Sequence, residues 1–290
     1  MNTQRGVALV VALLVAAECA ALAGGIIARQ ELAIRRAQVA LAAAQAQART
    51  PALVLTAVRT VENAGPLPRT LTVDGARITV SSAHGCLNLN TLLNPDDGEP
   101  DALTAARLER LLRVLDQPDD LLPALTDWLD AYGRARTGGA EDDWYSRRHP
   151  PRRAANATLV DLSELLLVRH VRRTTVQALR GQVCTLPADV DVDINHLDAP
   201  LWQALADGLS AARARELASL TRTQPFADLG ALALHPLLSG ARLDPAHLGV
   251  RTQVYALTVR DPTGPPADQH LTVRTGAAGL EVLARRWEAR

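Results

Sequence analysis

Residues 5–28 read RGVALVVALLVAAECAALAGGIIA, an abrupt passage from Arg5–Gly6 into an apolar run that holds one acid, Glu18, and no base before Arg29. As a helix, the roughly 22 residues from Val7 to Ala28 extend about 33 Å, enough to cross a bilayer. Alanine, glutamine, leucine and arginine then continue from Arg29 to Arg49 without glycine or proline. These chains lose little entropy in a helix, so the pattern predicts one continuous helix from Val7 to Arg49. Pro66 and Pro68 close the helical region.

Three kinds of membrane targeting compete for this segment. A secretory signal peptide would be cut after Ala21–Leu22–Ala23, before Gly24. A lipoprotein would use Cys19, but Glu18 stands where a small residue is needed, and this reading is rejected. The third cuts between Gly6 and Val7 and keeps the whole apolar helix. The abrupt start after Gly6 and the helical continuation past Ala28 favour it, because a discarded signal has no use for further helix. Orientation is not fixed by charge, since Arg5 lies on one side and Arg29, Arg35 and Arg36 on the other.

The remainder is long enough for one large or two small domains. Thirty-one basic residues, all arginine, balance 31 acidic ones, which argues against a general binder of nucleic acid or anionic surfaces. The absence of lysine fits a coding bias that also enriches alanine. Aromatic residues are scarce, yet Trp128, Tyr132, Trp144 and Tyr145 cluster and mark a packed site. Cys86 and Cys184 are the pair outside the apolar helix, a candidate disulfide if the compartment is oxidising. No Cys/His spacing suits zinc.

Thr70–Val73 and Arg77–Val80 flank Asp74–Gly75, a two-residue hairpin signal. Thr252–Arg260, His270–Thr275 and Leu280–Trp287 form a second β-rich region. Between them the periodicity is helical: Leu103–Leu115, with Leu108, Leu111, Leu112 and Leu115 on one face, then Leu121–Leu129, Leu162–Val168, Thr174–Leu179, Leu201–Ala206 and Ala211–Leu220. Asn88–Leu89–Asn90–Thr91–Leu92 is echoed by Asp193–Ile194–Asn195–His196–Leu197, as if two related helical units were each entered from a short strand and capped by asparagine.

Asp127, Asp130, Glu141, Asp142 and Asp143 gather five carboxylates around Gly138–Gly139. Calcium takes six to eight oxygen ligands in a flexible cage, which such a loop can supply. The alternative is a solvated loop paired with Arg134, Arg136, Arg147 and Arg148. No Gly-x-Ser-x-Gly, phosphate-cradling glycine loop or His-Glu-x-x-His is present, and the histidines are scattered, so no catalytic residue is assigned.

Leader, long helix, hairpin, helical insertion and closing strands together resemble, over the full length, the K-type minor pseudopilins of type II secretion. Arg5–Gly6–Val7–Ala8–Leu9 is similar to that family's prepilin-peptidase site. Most pseudopilins carry Glu as the fifth mature residue; K-type members lack it, and Val11 stands there here. Asp127–Trp128–Leu129–Asp130, the loop Gly138–Tyr145, Ala154–Ala155–Asn156, Ser163–Glu164–Leu165 and Asn88–Leu89–Asn90 also match. The further acids that family members often have after Asp130 are replaced by Ala131–Tyr132–Gly133–Arg134.

The resemblance implies an α+β fold, with a pilin-like long N-terminal helix on a small antiparallel sheet and a large inserted all-α domain of two SAM-like or helix-hairpin-helix-like halves. The implied divisions are 1–6 leader, 7–28 transmembrane half, 29–90 helix and first hairpin, 91–240 insertion (halves 91–185 and 186–240) and 241–290 closing strands. It further implies processing at Gly6 and Val7 by prepilin peptidase, methylation of the new terminus, and a single-pass inner-membrane protein with a periplasmic domain. The implied role is capping the pseudopilus tip for export of folded proteins across the outer membrane, beside I-type and J-type minor pseudopilins. Val11 would affect subunit stacking, and calcium would be held by Asp130, Glu141, Asp142, Asp143 and Asn156. The alternative is an anchored, exported helix-hairpin-helix protein that binds DNA. Leu165–Gly181 and Leu201–Leu220 carry that reading, with eight arginines between Arg147 and Arg180.

Overall fold

The computed structural model describes the backbone of residues 2–62, 67–94, 97–264, 267–276 and 279–289, with side chains from residue 13 onward. Helix α1 (Asn2–Glu62) is one 61-residue element that runs through Pro51, beyond its expected end at Arg49. Proline removes a donor from the helix ladder, so something outside the ladder must sustain the helix here. Leu53, Val54, Ala57, Val58 and Val61 recur at helical spacing and bury against a sheet, which supplies that support. Farther back, Leu13, Leu22, Ile26, Ile34 and Leu41 stay exposed.

Strands β1 (Arg69–Val73) and β2 (Ala76–Ser82) form the expected antiparallel hairpin. Asp74 and Gly75 both take positive φ, 45° and 80°. That is the turn whose twist matches the flanking strands.

After Ser82 the chain leaves the sheet for an insertion in two units. The first comprises β3 (Leu87–Asn88), a 3-10 turn (Leu89–Thr91), α2 (Ala102–Val114), α3 (Leu121–Leu129), α4 (Asp142–Tyr145), a 3-10 segment (Leu162–Leu167), α5 (Arg173–Leu179) and β4 (Val183–Cys184). The second comprises β5 (Val192–Asp193), a 3-10 turn (Ile194–His196), α6 (Ala199–Leu205), β6 (Ala206–Asp207), α7 (Ala211–Thr221), α8 (Leu229–Ala233), a 3-10 turn (Pro236–Leu238), β7 (Arg242–Leu243) and β8 (Leu248–Gly249). In each unit the first strand pairs in parallel with the last, β3 with β4 and β5 with β8. The two units share one core: Leu108, Leu111 and Leu112 of α2 join Leu201, Trp202 and Leu205 of α6. Arg110 of α2 also donates from Nε to the Ala204 carbonyl (2.7 Å).

The sheet resumes with β9 (Val254–Arg260), β10 (Ala267–Gly276) and β11 (Gly279–Ala289), in the order β1-β2-β9-β10-β11, antiparallel throughout. Its second part therefore begins at Val254, not at residue 241, because β7 and β8 pair inside the insertion with β6 and β5. Likewise Cys86–Asn90 belongs to the first helical unit, not to the hairpin. Ile78, Val80, Leu257, Val259, Leu271 and Val273 form the sheet face under α1. Near Pro51, the Thr50 hydroxyl donates to the Ala46 carbonyl (2.8 Å) and meets the Gln269 side-chain amide of β10, also at 2.8 Å.

Candidate functional site

The acidic loop folds inward. Asp127 and Asp130, at the end of α3, and Glu141, which caps α4, are all buried. Arg136 lies among them: its backbone N–H donates to Asp127 Oδ2 (3.0 Å) and its guanidinium donates to Asp127 Oδ1 (2.7 Å) and to Asp130 Oδ2. Asp130 Oδ1 accepts the Tyr132 N–H (2.9 Å). Gly139 is required, since a Cβ there would stand 1.8 Å from Asp127 Oδ2. The loop is thus divided: Asp142 and Asp143 stay exposed, while Asp127, Asp130 and Glu141 are buried, the first two paired with Arg136. Asp127 and Asp130 share one guanidinium, and beside them the third buried carboxylate, Glu141, has no hydrogen-bond partner for Oε1. Burial, reinforced by the charges of Asp127, Asp130 and Asp142, pushes the Glu141 carboxyl up to about 7.

Of the five expected calcium ligands, only Asp130 and Glu141 share this cluster. Successive residues of a helix point about 100° apart, so α4 carries Asp142 and Asp143 to the surface. Asp142 accepts the Ala154 N–H (2.9 Å) and faces Arg153 at 3.7 Å. Asn156 is exposed, at φ 48°, its N–H bonded to the Trp128 carbonyl. It lines, with Asp130 and Tyr132, a groove of about 390 Å³. Among the described residues no three His, Cys, Asp or Glu side chains are arranged to hold a metal ion. Within the cluster both Asp127 oxygens are taken by Arg136, which leaves Glu141 Oε1 as the buried carboxylate oxygen with no hydrogen-bond partner.

Cys86 and Cys184 are joined in a disulfide, at the ends of the first helical unit. Gly6, Val7 and Val11 lie within the backbone of α1, but their side chains fall outside the described residues. From Leu13 onward α1 is long and apolar enough to cross a membrane, by length and composition.

The sequence echo is realised in atoms. Asn88 and Asp193 are the caps, accepting the N–H of Asn90 (3.2 Å) and of Asn195 (3.1 Å). Asn90 and Asn195 do something else: each ties two distant loops to its unit. Asn90 accepts the Leu159 N–H and donates to the Leu159 and Leu186 carbonyls. Asn195 accepts the Phe226 N–H and donates to the Phe226 and Val250 carbonyls.

A second buried polar group, which sequence reasoning missed, sits where insertion meets sheet. Asp193 Oδ2 accepts from Thr252 Oγ1 (2.6 Å), His196 Nδ1 (2.8 Å) and Ser82 Oγ (3.3 Å). His84 Nε2 accepts the Gln253 N–H (2.9 Å), so its Nδ1 carries the proton given to the Asp191 carbonyl (2.7 Å). Burial holds His84 below the usual histidine range, so it is a neutral strut. Gly85 beside it allows close approach, a Cβ there meeting the His196 carbonyl at 2.4 Å. The only sequence signal was the repeated Asn-x-Asn and Asp-x-Asn spacing.

The helix-hairpin-helix turns are occupied internally. At Val168–Val171 the Arg169 N–H donates to Tyr145 Oη (3.2 Å) and the Val171 N–H to the Val168 carbonyl. In the second, Leu209 N–H bonds the Ala206 carbonyl and Asp207 pairs with Arg242 (3.1 Å). Those amides are not available to a phosphate.

A long N-terminal helix on an antiparallel sheet, interrupted by a helical insertion, defines a pilin-like protein with an enlarged head. Residues 85–188 match the family described as Type II secretion system (T2SS), protein K. The chain is 30% identical over 247 residues to type II secretion system protein K of Pseudomonas aeruginosa, covering 73% of each. It is 33% identical over 147 residues to the protein of that name from Pectobacterium carotovorum, covering 46% of this chain and 45% of that one. The crystal structure of the GspK–GspI–GspJ complex from the enterotoxigenic Escherichia coli type 2 secretion system contains a chain of similar fold. It aligns with TM-score 0.68 at 23% identity, over 89% of this chain and 99% of that one. The chain belongs to the type II secretion system protein K family, the minor pseudopilins.

Proposed function

We propose that this chain is a structural subunit, not an enzyme, and caps the tip of a type II secretion pseudopilus that exports folded proteins across the outer membrane. After cleavage between Gly6 and Val7 its apolar helix lies in the inner membrane and then in the fibre, with sheet and insertion in the periplasm. Its neighbours are I-type and J-type minor pseudopilins, as GspI and GspJ are for GspK in the related complex. One observation carries this reading: residues 83–253 are inserted between β2 and β9, in the middle of the sheet order, so the head is far larger than the sheet and helix that hold it. A head of that size obstructs a subunit stacked above. Val11 agrees, since without a carboxylate there the helix has no partner for a following subunit's terminal amine, and an unpaired buried charge is costly.

Co-expression with the I-type and J-type subunits of the same organism tests the reading. A stable ternary complex is expected, and pseudopili that end at this subunit; pseudopili carrying it along their length would overturn the assignment. N-terminal sequencing of the membrane-extracted protein should read from Val7, whereas a start at Gly24 would sink the anchored form.

The unpartnered Glu141 oxygen supports a second element, a calcium ion drawn to Glu141 and Asp130, the two expected ligands that share the buried cluster. Calcium should raise the melting temperature of the full chain in detergent and a chelator should lower it. Absence of both binding heat and melting shift removes the ion.

A further inference from the structure

We infer that the surface between α4 and α5 is a docking site for an acidic segment of a partner protein, one that carries apolar side chains as well as carboxylates. The surface is a cleft of about 400 Å³ whose lining includes Trp144, Arg148, Arg152, Leu167, Arg169 and His170. Between Arg147 and Arg180 the sequence places eight arginines against Asp161 and Glu164. Among the described residues, Arg153 is the one of these arginines that lies within 4.0 Å of a carboxylate, Asp142. Arg147, Arg148, Arg152, Arg172 and Arg173 have, among the described residues, no carboxylate within 4.0 Å, in a chain whose formal charge is balanced overall. Three of these arginines, Arg148, Arg152 and Arg169, line the cleft itself, whose described lining residues include no carboxylate. The nearby acids Asp142 and Asp143 lie exposed on α4, and Asp120 pairs with His170 at 3.2 Å.

The face is also built. Arg148 stacks on Trp144, its guanidinium carbon 3.7 Å from the ring centre, and Arg169 lies 5.5 Å from the same ring. Arg169 is fixed again by donation to the Gly139 carbonyl. The backbone N–H groups of Arg148 and Arg152 both donate to the Tyr145 carbonyl (3.2 and 3.3 Å), and Tyr145 is locked edge-on between Trp128 and Trp144. Guanidinium groups held in this way lose less entropy when they bind, and their planar forks match carboxylates. Leu166 and Leu167 are exposed beside them, 39% and 42%, and supply an apolar contact.

The same geometry disfavours nucleic acid. The hairpin amides of Arg169 and Val171 are already bonded, and Arg148 covers a face of the Trp144 ring on which a base would otherwise stack. An acidic protein segment with apolar residues uses both parts of the face.

The test uses the full chain in uncharged detergent with fluorescent probes. These are a short glutamate-rich peptide bearing leucines, its lysine-substituted counterpart, a duplex DNA oligonucleotide and phosphatidylglycerol vesicles. The acidic peptide should bind, weaken at least about ten-fold between low and high salt, and lose at least about ten-fold in affinity in the Arg148→Glu/Arg152→Glu double variant. Leu166→Ser/Leu167→Ser, which leaves every charge and the aromatic packing in place, should weaken it too. Equal binding of the lysine peptide, or affinity for the acidic peptide unchanged in both variants, overturns the proposal. So does tighter binding of the DNA or the vesicles in competition with the peptide.

Discussion

The most consequential single residue outside α1 is Glu141. Its carboxyl is desolvated, faces Asp127 and Asp130, and is pushed up to about 7, well above an exposed glutamate. A raised acid binds its proton more tightly in the folded state, so stability is full below the unfolded value near 4.5 and is lost as pH rises towards 7. Glu141→Gln should therefore raise the melting temperature at pH 8 in chelator, with a benefit that shrinks to nothing on acidification towards pH 4. Thermal melts of the two proteins across that range check it; a destabilising Glu141→Gln at pH 8 without calcium would contradict the buried-charge account. The carboxylates themselves were legible from composition around Gly138–Gly139. That Arg136, one of four arginines offered as partners, bridges Asp127 and Asp130 was not, because the bridge depends on Gly139 bringing the loop backbone against Asp127.

At the scale of elements, the two helical units are built on one device used twice. Asn90 and Asn195 each receive one N–H and supply two N–H bonds to carbonyls of loops far along the chain. Alanine at either position leaves those groups buried and unsatisfied, which costs about 1–3 kcal/mol per orphaned group. Asn90→Ala and Asn195→Ala should each lose at least about 2 kcal/mol in urea unfolding. Aspartate should do no better, because it keeps the acceptor but sets carboxylate oxygens against two carbonyls. If aspartate restores full stability at either position, the bridging role is wrong there. Helices were read well from periodicity: α2, α3, α6 and α7 lie within two residues of expectation, since each has an apolar stripe and a start signal. The segment after Asp161, expected as a short helix over Leu162–Val168, is one of 3-10 type over Leu162–Leu167, whereas α8 was not foreseen; only Leu232 is buried there, too little pattern for a period to register. The boundary of the sheet was misplaced for a related reason. Two-residue strands such as β7 and β8 look in sequence like the approach to the closing strands, and their pairing with β6 and β5 is a long-range fact.

For the whole molecule, the consequence is a head and a body with separate cores, joined where Ser82 leaves the sheet and Gln253 returns to it. Asp193 holds that neck, taking hydrogen bonds from Ser82 and Thr252 on the sheet side and from His196 and Asn195 on the head side. Burial by itself would raise its carboxyl; the hydrogen bond and charge of His196 and the hydrogen bond from the Thr252 hydroxyl outweigh that and hold it below the usual carboxylate range. A depressed acid contributes stability above its unfolded value and loses it as pH falls through the folded one. Asp193→Ala removes the shared acceptor and leaves the buried Asn195 N–H and the half-buried Ser82, Thr252 and His196 donors without it, a loss of about 3 kcal/mol. The Cys86–Cys184 disulfide cannot replace it, because that bond closes the first helical unit and does not span head and body. Calorimetry of the full chain should therefore show one cooperative transition for the wild type at pH 7, and two for Asp193→Ala as the sheet and the head melt separately. The wild type should approach the same behaviour in acid, below the usual aspartate range, where the depressed carboxylate takes its proton. A single transition in the variant, at the wild-type temperature, would mean that the neck is held by packing of Cys86, Leu186, Val190 and Val254 alone.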